Sequence, residues 1–216
     1  MHVILFDLDD TLVRSMEMDG HYFGDAIEAE LHGEICRNWQ QYEHVSDSGI
    51  LHACALDHWG RAVRPDEEKR IKKRFFTSMA QALKNDPKVV EVMSGAAALL
   101  DYIAENRDMV FALATDGWRT SACMKLKHAG LWREDLILKT SDDAMARTAI
   151  MQLALTHVSE NTVASSVTYV GDALWDIEAT SRLGWNFIGI GNKVKHSPKW
   201  VPDFLDIERF LSLVTE

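Results

Sequence analysis

The sequence is poor in cysteine, with only Cys36, Cys54 and Cys123 among its 216 residues. An odd number of widely spaced cysteines without a CxxC pair does not indicate a disulfide framework. The nine histidines show no HExxH motif and no other paired metal-ligand spacing. We therefore expect reduced thiols, as is typical of a cytoplasmic protein.

Positive charge is also scarce, since 23 lysines and arginines face 33 acidic residues and leave a net charge of −10. This balance disfavours nonspecific binding to nucleic acid or to an anionic membrane. No apolar run approaches the length of a membrane span, and no N-terminal signal segment fits a chain whose first strand starts at residue 2 or 3. We expect a monomer or homodimer without nucleic-acid or membrane partners. Because the net charge is negative, binding of a phosphate group would need a local metal ion or a few cationic side chains at the site.

Apolar residues, by contrast, are plentiful. Hydrophobic residues make up 47% of the chain and include seven tryptophans. This composition indicates a real core. The length suffices for one substantial domain, or for one domain with an insert.

The most informative stretch is an apolar strand from Val3 to Phe6 that runs directly into three carboxylates, Asp7, Asp9 and Asp10. Residues two apart on an extended chain point to the same side, so the first two of these acids can reach one spot. Converging carboxylates repel each other unless a cation offsets their charge, and oxygen ligands suit Mg²⁺. The alternative for this stretch alone is an acidic turn in which one aspartate caps a helix.

Residues 15–91 contain no convincing strand. A ridge with a spacing of four residues predicts a first helix; its members are Phe23, Ile27, Leu31, Ile35 and Trp39. A second helix is predicted around residues 50–59, and a third opens at Pro65 and continues to Leu83. We therefore predict a helical cap over residues 15–91, inserted into a core formed by residues 1–14 and 92–216.

From residue 94 onward, helices and strands alternate. Buried strands are predicted at residues 110–114, 136–138, 167–170 and 186–190. This alternation predicts an α/β fold, a doubly wound Rossmann-like parallel sheet with strand order 3-2-1-4-5. The first and fourth strands are then neighbours, so Asp7 and Asp172 should meet beyond their carboxyl ends.

Four stretches resemble, in order, the four motifs of the haloacid dehalogenase superfamily. They are Asp7-Leu8-Asp9-Asp10-Thr11, Thr115 within Ala114-Thr115-Asp116-Gly117, Arg147 before a helix, and Gly171-Asp172-Ala173-Leu174-Trp175-Asp176. The helical insert matches the position of the superfamily's C1 cap. Two further stretches look most like phosphoglycolate-phosphatase-like members. They are Gly117-Trp118-Arg119-Thr120 with Lys125-Leu126, and the region of residues 172–176 followed by Leu183-Gly184-Trp185.

The resemblance implies that Asp7 is the nucleophile and that Asp9 is the general acid and base. It also implies a Mg²⁺ cofactor held by the Asp7 carboxylate, the Asp9 backbone carbonyl and Asp172. Asp176 would contact these ligands and hold them in position without binding the ion itself.

For the phosphate group, the resemblance implies that the hydroxyl of Thr115 and the turn at Asp116 bind its oxygens. Arg147 would neutralise the phosphate charge, where the superfamily more often has lysine. Lys139, at the end of the third predicted strand, is the competing cation.

The implied function is a Mg²⁺-dependent phosphatase. It would hydrolyse small phosphomonoesters, phosphoglycolate-like or sugar phosphates, through an aspartyl phosphate. Two alternatives stay open: a phosphomutase of the β-phosphoglucomutase type, and a catalytically weak regulatory binding protein of the same superfamily. Dehalogenation is disfavoured because dehalogenases of the superfamily lack the second acid and the metal.

Overall fold

A computed structural model describes residues 1–160 and 162–216. The strands are β1 (His2–Phe6), β2 (Val13–Arg14), β3 (Glu91–Val92), β4 (Met109–Ala114), β5 (Leu138–Lys139), β6 (Ser166–Gly171), β7 (Asn186–Ile190) and β8 (Trp200–Val201). The helices are α1 (Met16–Leu31), α2 (Asp47–Trp59), α3 (Pro65–Asn85), α4 (Ala96–Glu105), α5 (Arg119–His128), α6 (Arg147–Ser159), α7 (Leu174–Leu183) and α8 (Ile207–Thr215).

Six strands form one parallel sheet in the order β5-β4-β1-β6-β7-β8. The predicted order 3-2-1-4-5 is thereby confirmed, and β8 adds a sixth strand at the edge. In the centre, Phe6 at the end of β1 lies opposite Leu113 of β4 and Val170 of β6. The segments that follow these three strands therefore emerge side by side.

Both faces of the sheet are buried, which explains the continuous apolar character of β1. Alternate residues of a strand point to opposite faces. Phe6 belongs to the cluster on one face, where its ring lies 6.0 Å from Phe204 and 6.2 Å from Phe210. Leu5 belongs to the cluster on the other face, with Tyr169. The core is thus a sheet between two apolar layers, and its carboxyl edge is where polar residues begin.

The helices α1, α2 and α3, which we call the helical insert, lie between β2 and β3. These two short strands pair antiparallel, with Val13 opposite Val92, so the two connections to the core run next to each other. The division into a core and a cap at residues 14 and 92 stays a prediction.

The predicted first helix is too long. It ends at Leu31 because His32 adopts a left-handed conformation with φ of 56°. Ile35 lies in the following loop, and Trp39 begins a short 3-10 turn. The spacing of four nevertheless marks a common packing surface, since the Trp39 ring contacts Phe23 at 5.9 Å between centroids.

The structure also bears on membrane association. Throughout the described ranges, 1–160 and 162–216, no helix combines the length and the apolar character that crossing a membrane requires. The described helices instead place their apolar faces in the two core clusters or in the helical insert.

The C-terminal tail docks onto the start of α4 through Gly95. The φ of this glycine is +80°, and a Cβ added to it would lie 2.3 Å from the backbone carbonyl of Phe204. The Phe204 N–H donates a hydrogen bond to the carbonyl of Ser94 at 2.9 Å. Only glycine therefore allows this close approach.

We predict that Gly95→Ala destabilises the protein more than Gly130→Ala. Gly130 also has positive φ, +69°, but no atom of the described residues lies within 4 Å of its added Cβ. The control should lose about 1–2 kcal/mol from the left-handed backbone alone. Gly95→Ala should lose more because the tail must also move. Urea unfolding of both variants measures the difference, and equal losses would contradict the close approach.

Candidate functional site

Three aspartates converge at the carboxyl ends of β1 and β6. Asp7 follows β1, Asp172 follows β6, and Asp176 lies in the first turn of α7. One carboxylate oxygen from each lies within 4.8 Å of the others. The sheet thus brings together acids that are 165 positions apart in the chain, as the strand order predicts.

The position of Asp176 follows from the local backbone. Its carboxylate accepts a hydrogen bond from the N–H of Ala173 at 3.0 Å, which caps the start of α7. A Cβ on Gly171 would lie 2.3 Å from the same carboxylate. A side chain at position 171 would collide with Asp176, so the position of Asp176 requires glycine at position 171.

Burial of this negative charge is unfavourable without a cation. Desolvation raises the pKa of Asp7 well above its ordinary value; Arg147 opposes the rise, and repulsion from Asp176, Asp116 and Asp172 adds to it. Burial likewise raises the pKa of Asp176 to about 7, against the lowering effect of Arg147. A divalent cation would offset this repulsion, and the carboxylate donor set suits Mg²⁺.

Arg147 lies at the first residue of α6, with its side chain only 11% exposed. Its guanidinium donates to the carboxylates of Asp116 and Asp176 and to the hydroxyl of Tyr169, the last at 2.9 Å. It lines the same cavity as Asp7, whereas Lys139 does not. The structure thus puts Arg147, and not the competing lysine, beside the predicted nucleophile.

Asp9 is held by a lysine on α5. The ammonium of Lys125 is fully buried and donates to both carboxylate oxygens of Asp9, at 2.5 and 2.6 Å. It also donates to Asp19 of α1 at 2.9 Å, and the Ser15 hydroxyl donates to Asp9 as well. The predicted acid and base is therefore fixed in orientation by one cation and one hydroxyl.

The sequence analysis assigned no site role to Lys125 or Asp19, although each carries a recognisable signal. Asp19 lies four residues before Phe23, so it extends the apolar ridge of α1 with a charge. Lys125 lies three residues after Ala122 and beside Leu126, on the buried side of α5. A charged residue on an apolar helix face needs a buried partner, and these two residues are partners.

The helical insert contacts the core through the N-terminal turn of α2. The carboxylate of Asp47 accepts the N–H of Trp118 at 2.7 Å, and its own N–H donates to the carbonyl of Asp116 at 2.9 Å. The hydroxyl of Ser48 receives the indole N–H of Trp118 at 3.0 Å. These bonds bring a further buried acid, Asp47, next to the turn that follows β4.

Between the insert and the strand ends lies a cavity of about 60 Å³. The cavity is lined mainly by acids, by apolar residues of the insert and by the turn after β4. The lining residues include Asp7, Asp9, Asp19, Phe23, Trp39, Asp47, Thr115, Asp116 and Arg147. This volume admits a few water-sized groups. The predicted nucleophile, acid and phosphate-binding residues thus share one small chamber, which we call the inner cavity.

A wider groove of about 1160 Å³ lies on the other side of Asp172. There the ammonium of Lys193 bridges Asp10 and Asp172, at 2.8 Å to each. Asp7 and Asp9 do not line this groove. The two spaces therefore meet at Asp172 but differ in the reactive groups they offer.

The chain is similar in sequence pattern and in fold to known proteins. The family model for haloacid dehalogenase-like hydrolases matches residues 4–190. A hydrolase from Pseudomonas syringae has a similar solved structure, with 19% identity, 98% of each chain covered and a TM-score of 0.75. CbbY from Rhodobacter sphaeroides, solved in complex with phosphate, has 19% identity, 95% of each chain covered and a TM-score of 0.69.

A predicted phosphoglycolate phosphatase from Haemophilus somnus is also similar, with 17% identity, 97% of each chain covered and a TM-score of 0.64. At these identities the likeness shows a shared fold. Among curated proteins, none matches the chain.

We predict that Lys125→Met lowers the free energy of unfolding by about 3–5 kcal/mol, because it leaves the carboxylates of Asp9 and Asp19 buried without their cation. Lys127→Met is the matched control on the same helix, where the lysine is exposed over the Trp132 ring. It should lose no more than about 1 kcal/mol. Urea unfolding measures both losses. The double variant Lys125→Met with Asp19→Asn should recover part of the stability, and no recovery would argue against the buried pair.

Proposed function

Because the chain belongs to the family of haloacid dehalogenase-like hydrolases, we propose that it is a Mg²⁺-dependent phosphatase of small phosphomonoesters. The observation that carries the proposal is that Asp7, Asp9, Thr115 and Arg147 line one inner cavity. A nucleophile, a proton donor, a hydroxyl and a cation are the groups that phosphoryl transfer to an aspartate requires.

In the first step, a carboxylate oxygen of Asp7 forms a bond to phosphorus and the ester oxygen leaves. Asp9 donates a proton to that oxygen, so the alcohol departs neutral. In the second step, Asp9 takes a proton from water, the water oxygen bonds to phosphorus, and the carboxylate of Asp7 is released. The contacts of Lys125 and Ser15 keep Asp9 in one place for both steps.

The groups that would hold Mg²⁺ are the carboxylates of Asp7 and Asp172 and the backbone carbonyl of Asp9. Asp176 would hold these ligands in position. When bound, the ion supplies positive charge that favours binding of the anionic phosphate and offsets the repulsion among the acids. Asp176 keeps its place through its bond to the Ala173 N–H.

The oxygens of the phosphate would be bound by the Thr115 hydroxyl, by N–H groups of the turn through Asp116, and by Arg147. The guanidinium already contacts Asp116 and Asp176, so these acids orient it toward the inner cavity. Asp116 thus acts through Arg147 and does not itself attract an anion.

We also propose that residues 15–91 act as a cap over a core of residues 1–14 and 92–216, in a cytoplasmic protein. Binding of a phosphomonoester would require the helical insert to move, since insert residues form one wall of the inner cavity and its volume of about 60 Å³ admits only a few water-sized groups. Such closure excludes water and favours small substrates over folded phosphoproteins.

We predict that Asp7→Asn abolishes turnover and covalent labelling, whereas Asp9→Asn slows turnover by roughly 10²–10⁴ and accumulates aspartyl phosphate. An aryl phosphate has a good leaving group, so its first step needs little protonation. The second step still needs a base to activate water. Intact-protein mass after a brief reaction quenched in acid, followed by peptide mapping, measures the labelling. Phosphate on a residue other than Asp7 would overturn the mechanism.

We predict that Asp172→Asn raises the apparent dissociation constant for Mg²⁺ by at least about tenfold. Its effect on stability should stay within about 1 kcal/mol, because its partner Lys193 is 54% exposed. Calorimetric titration with Mg²⁺ and urea unfolding measure the two effects separately. Asp57→Asn, on an exposed part of α2, is the control for charge. Unchanged affinity for Mg²⁺ would show that Asp172 is not a ligand.

A further inference from the structure

The structure indicates which space receives the leaving group of the substrate, on the premise that the proposed function holds. The leaving oxygen must lie within reach of the acid, Asp9. Asp9 lines the inner cavity and not the wider groove beside Lys193. The part of the substrate beyond the phosphate therefore faces the walls formed by α1 and α2.

Two carboxylates lie on those walls. Asp19 of α1 uses one oxygen to accept from Lys125, and Asp47 of α2 uses one oxygen to accept from the Trp118 N–H. Within residues 1–160 and 162–216, the protein donors to these two groups reach only one oxygen of each. Both residues line the inner cavity, so each presents a free acceptor to a ligand.

No cation on these walls could attract an anionic leaving group. In the part of the chain that the structure describes, the sole lysine or arginine lining the inner cavity is Arg147, which the proposed mechanism assigns to the transferred phosphate. Lys125 lies fully buried behind the wall, between Asp9 and Asp19. A carboxylate or a second phosphate would meet acids there without a compensating partner.

The remaining wall is aromatic and apolar. Phe23 and Trp39 line the cavity with their rings edge to face at 5.9 Å. Aromatic faces beside carboxylates suit ammonium groups and the hydroxyl groups of polyols. Burial and repulsion from Asp19 raise the pKa of Asp47, so a ligand that donates hydrogen bonds would stabilise its carboxylate form and an anionic ligand would oppose it.

We propose that the substrate is a phosphomonoester whose leaving group carries hydroxyl or ammonium donors and no second anionic group. Asp19 and Asp47 would accept from these donors while Phe23 and Trp39 cover the carbon skeleton. Phosphoglycolate and sugar bisphosphates, which carry a second anionic group, are disfavoured as substrates. Among the small phosphomonoesters of the proposed function, the proposed substrates are amino alcohol phosphates and polyol phosphates.

The test compares esters of similar length that differ in the charge of the leaving group: hydroxyethyl phosphate, aminoethyl phosphate and phosphoglycolate, each with Mg²⁺. We expect kcat/KM for the neutral and cationic esters to exceed that for phosphoglycolate by about tenfold or more. p-Nitrophenyl phosphate serves as a reference whose reactivity does not depend on a second polar group.

Asp47→Asn removes one charge and keeps an oxygen for the Trp118 N–H. It should raise kcat/KM for phosphoglycolate, relative to hydroxyethyl phosphate, by about fivefold or more. Asp57→Asn, also on α2 but exposed and outside the cavity, should leave this ratio unchanged.

The possible outcomes separate this inference from the proposed function. If no ester is hydrolysed, including p-nitrophenyl phosphate, the proposed function fails. If p-nitrophenyl phosphate is hydrolysed and phosphoglycolate is the best of the three short esters, the function stands and the inference is wrong. An unchanged substrate ratio in Asp47→Asn would also overturn the inference.

Discussion

The structure depends on how negative charge is neutralised at one edge of the sheet. Seven aspartates, six of them buried and one 14% exposed, gather there: Asp7, Asp9, Asp19, Asp47, Asp116, Asp172 and Asp176. Within residues 1–160 and 162–216, the cations that contact them are Lys125, Arg147 and Lys193. Each cation bridges two carboxylates, and the second partner of Lys193 is Asp10, which lies outside this set. The negative charge that remains in excess is what a divalent metal would offset.

The helical insert contributes buried acids to the site as well as apolar side chains. Through α1 it supplies Asp19, which shares Lys125 with Asp9, and through α2 it supplies Asp47, which binds the turn after β4. The charge balance around the predicted acid and base therefore includes residues from both the core and the insert. An opening motion of the insert would separate Asp19 from Lys125, and closure would restore the pair.

The apolar strands, their alternation with helices and the acids at the strand ends were sufficient to predict the sheet order and the meeting of Asp7 with Asp172. Periodicity overestimated the first helix, because it does not register the left-handed turn at His32. Hydrophobic periodicity also gave no reason to place Lys125 and Asp19 in the site, since charged residues on a helix usually face solvent. The roles of Asp7, Asp9, Thr115, Asp116, Arg147, Asp172 and Asp176 stay predictions that the experiments above test.

By itself the sequence determined what is local: a buried strand that ends in acids, helical periodicity in the insert, and strands alternating with helices. Only the tertiary structure decided which charges pair. Lys125 is 116 residues from Asp9, and Arg147 is 29 from Asp176. Burial makes such pairs strong, but burial arises only after helices and sheet have packed, so the partner of a charge cannot be found from its sequence neighbours.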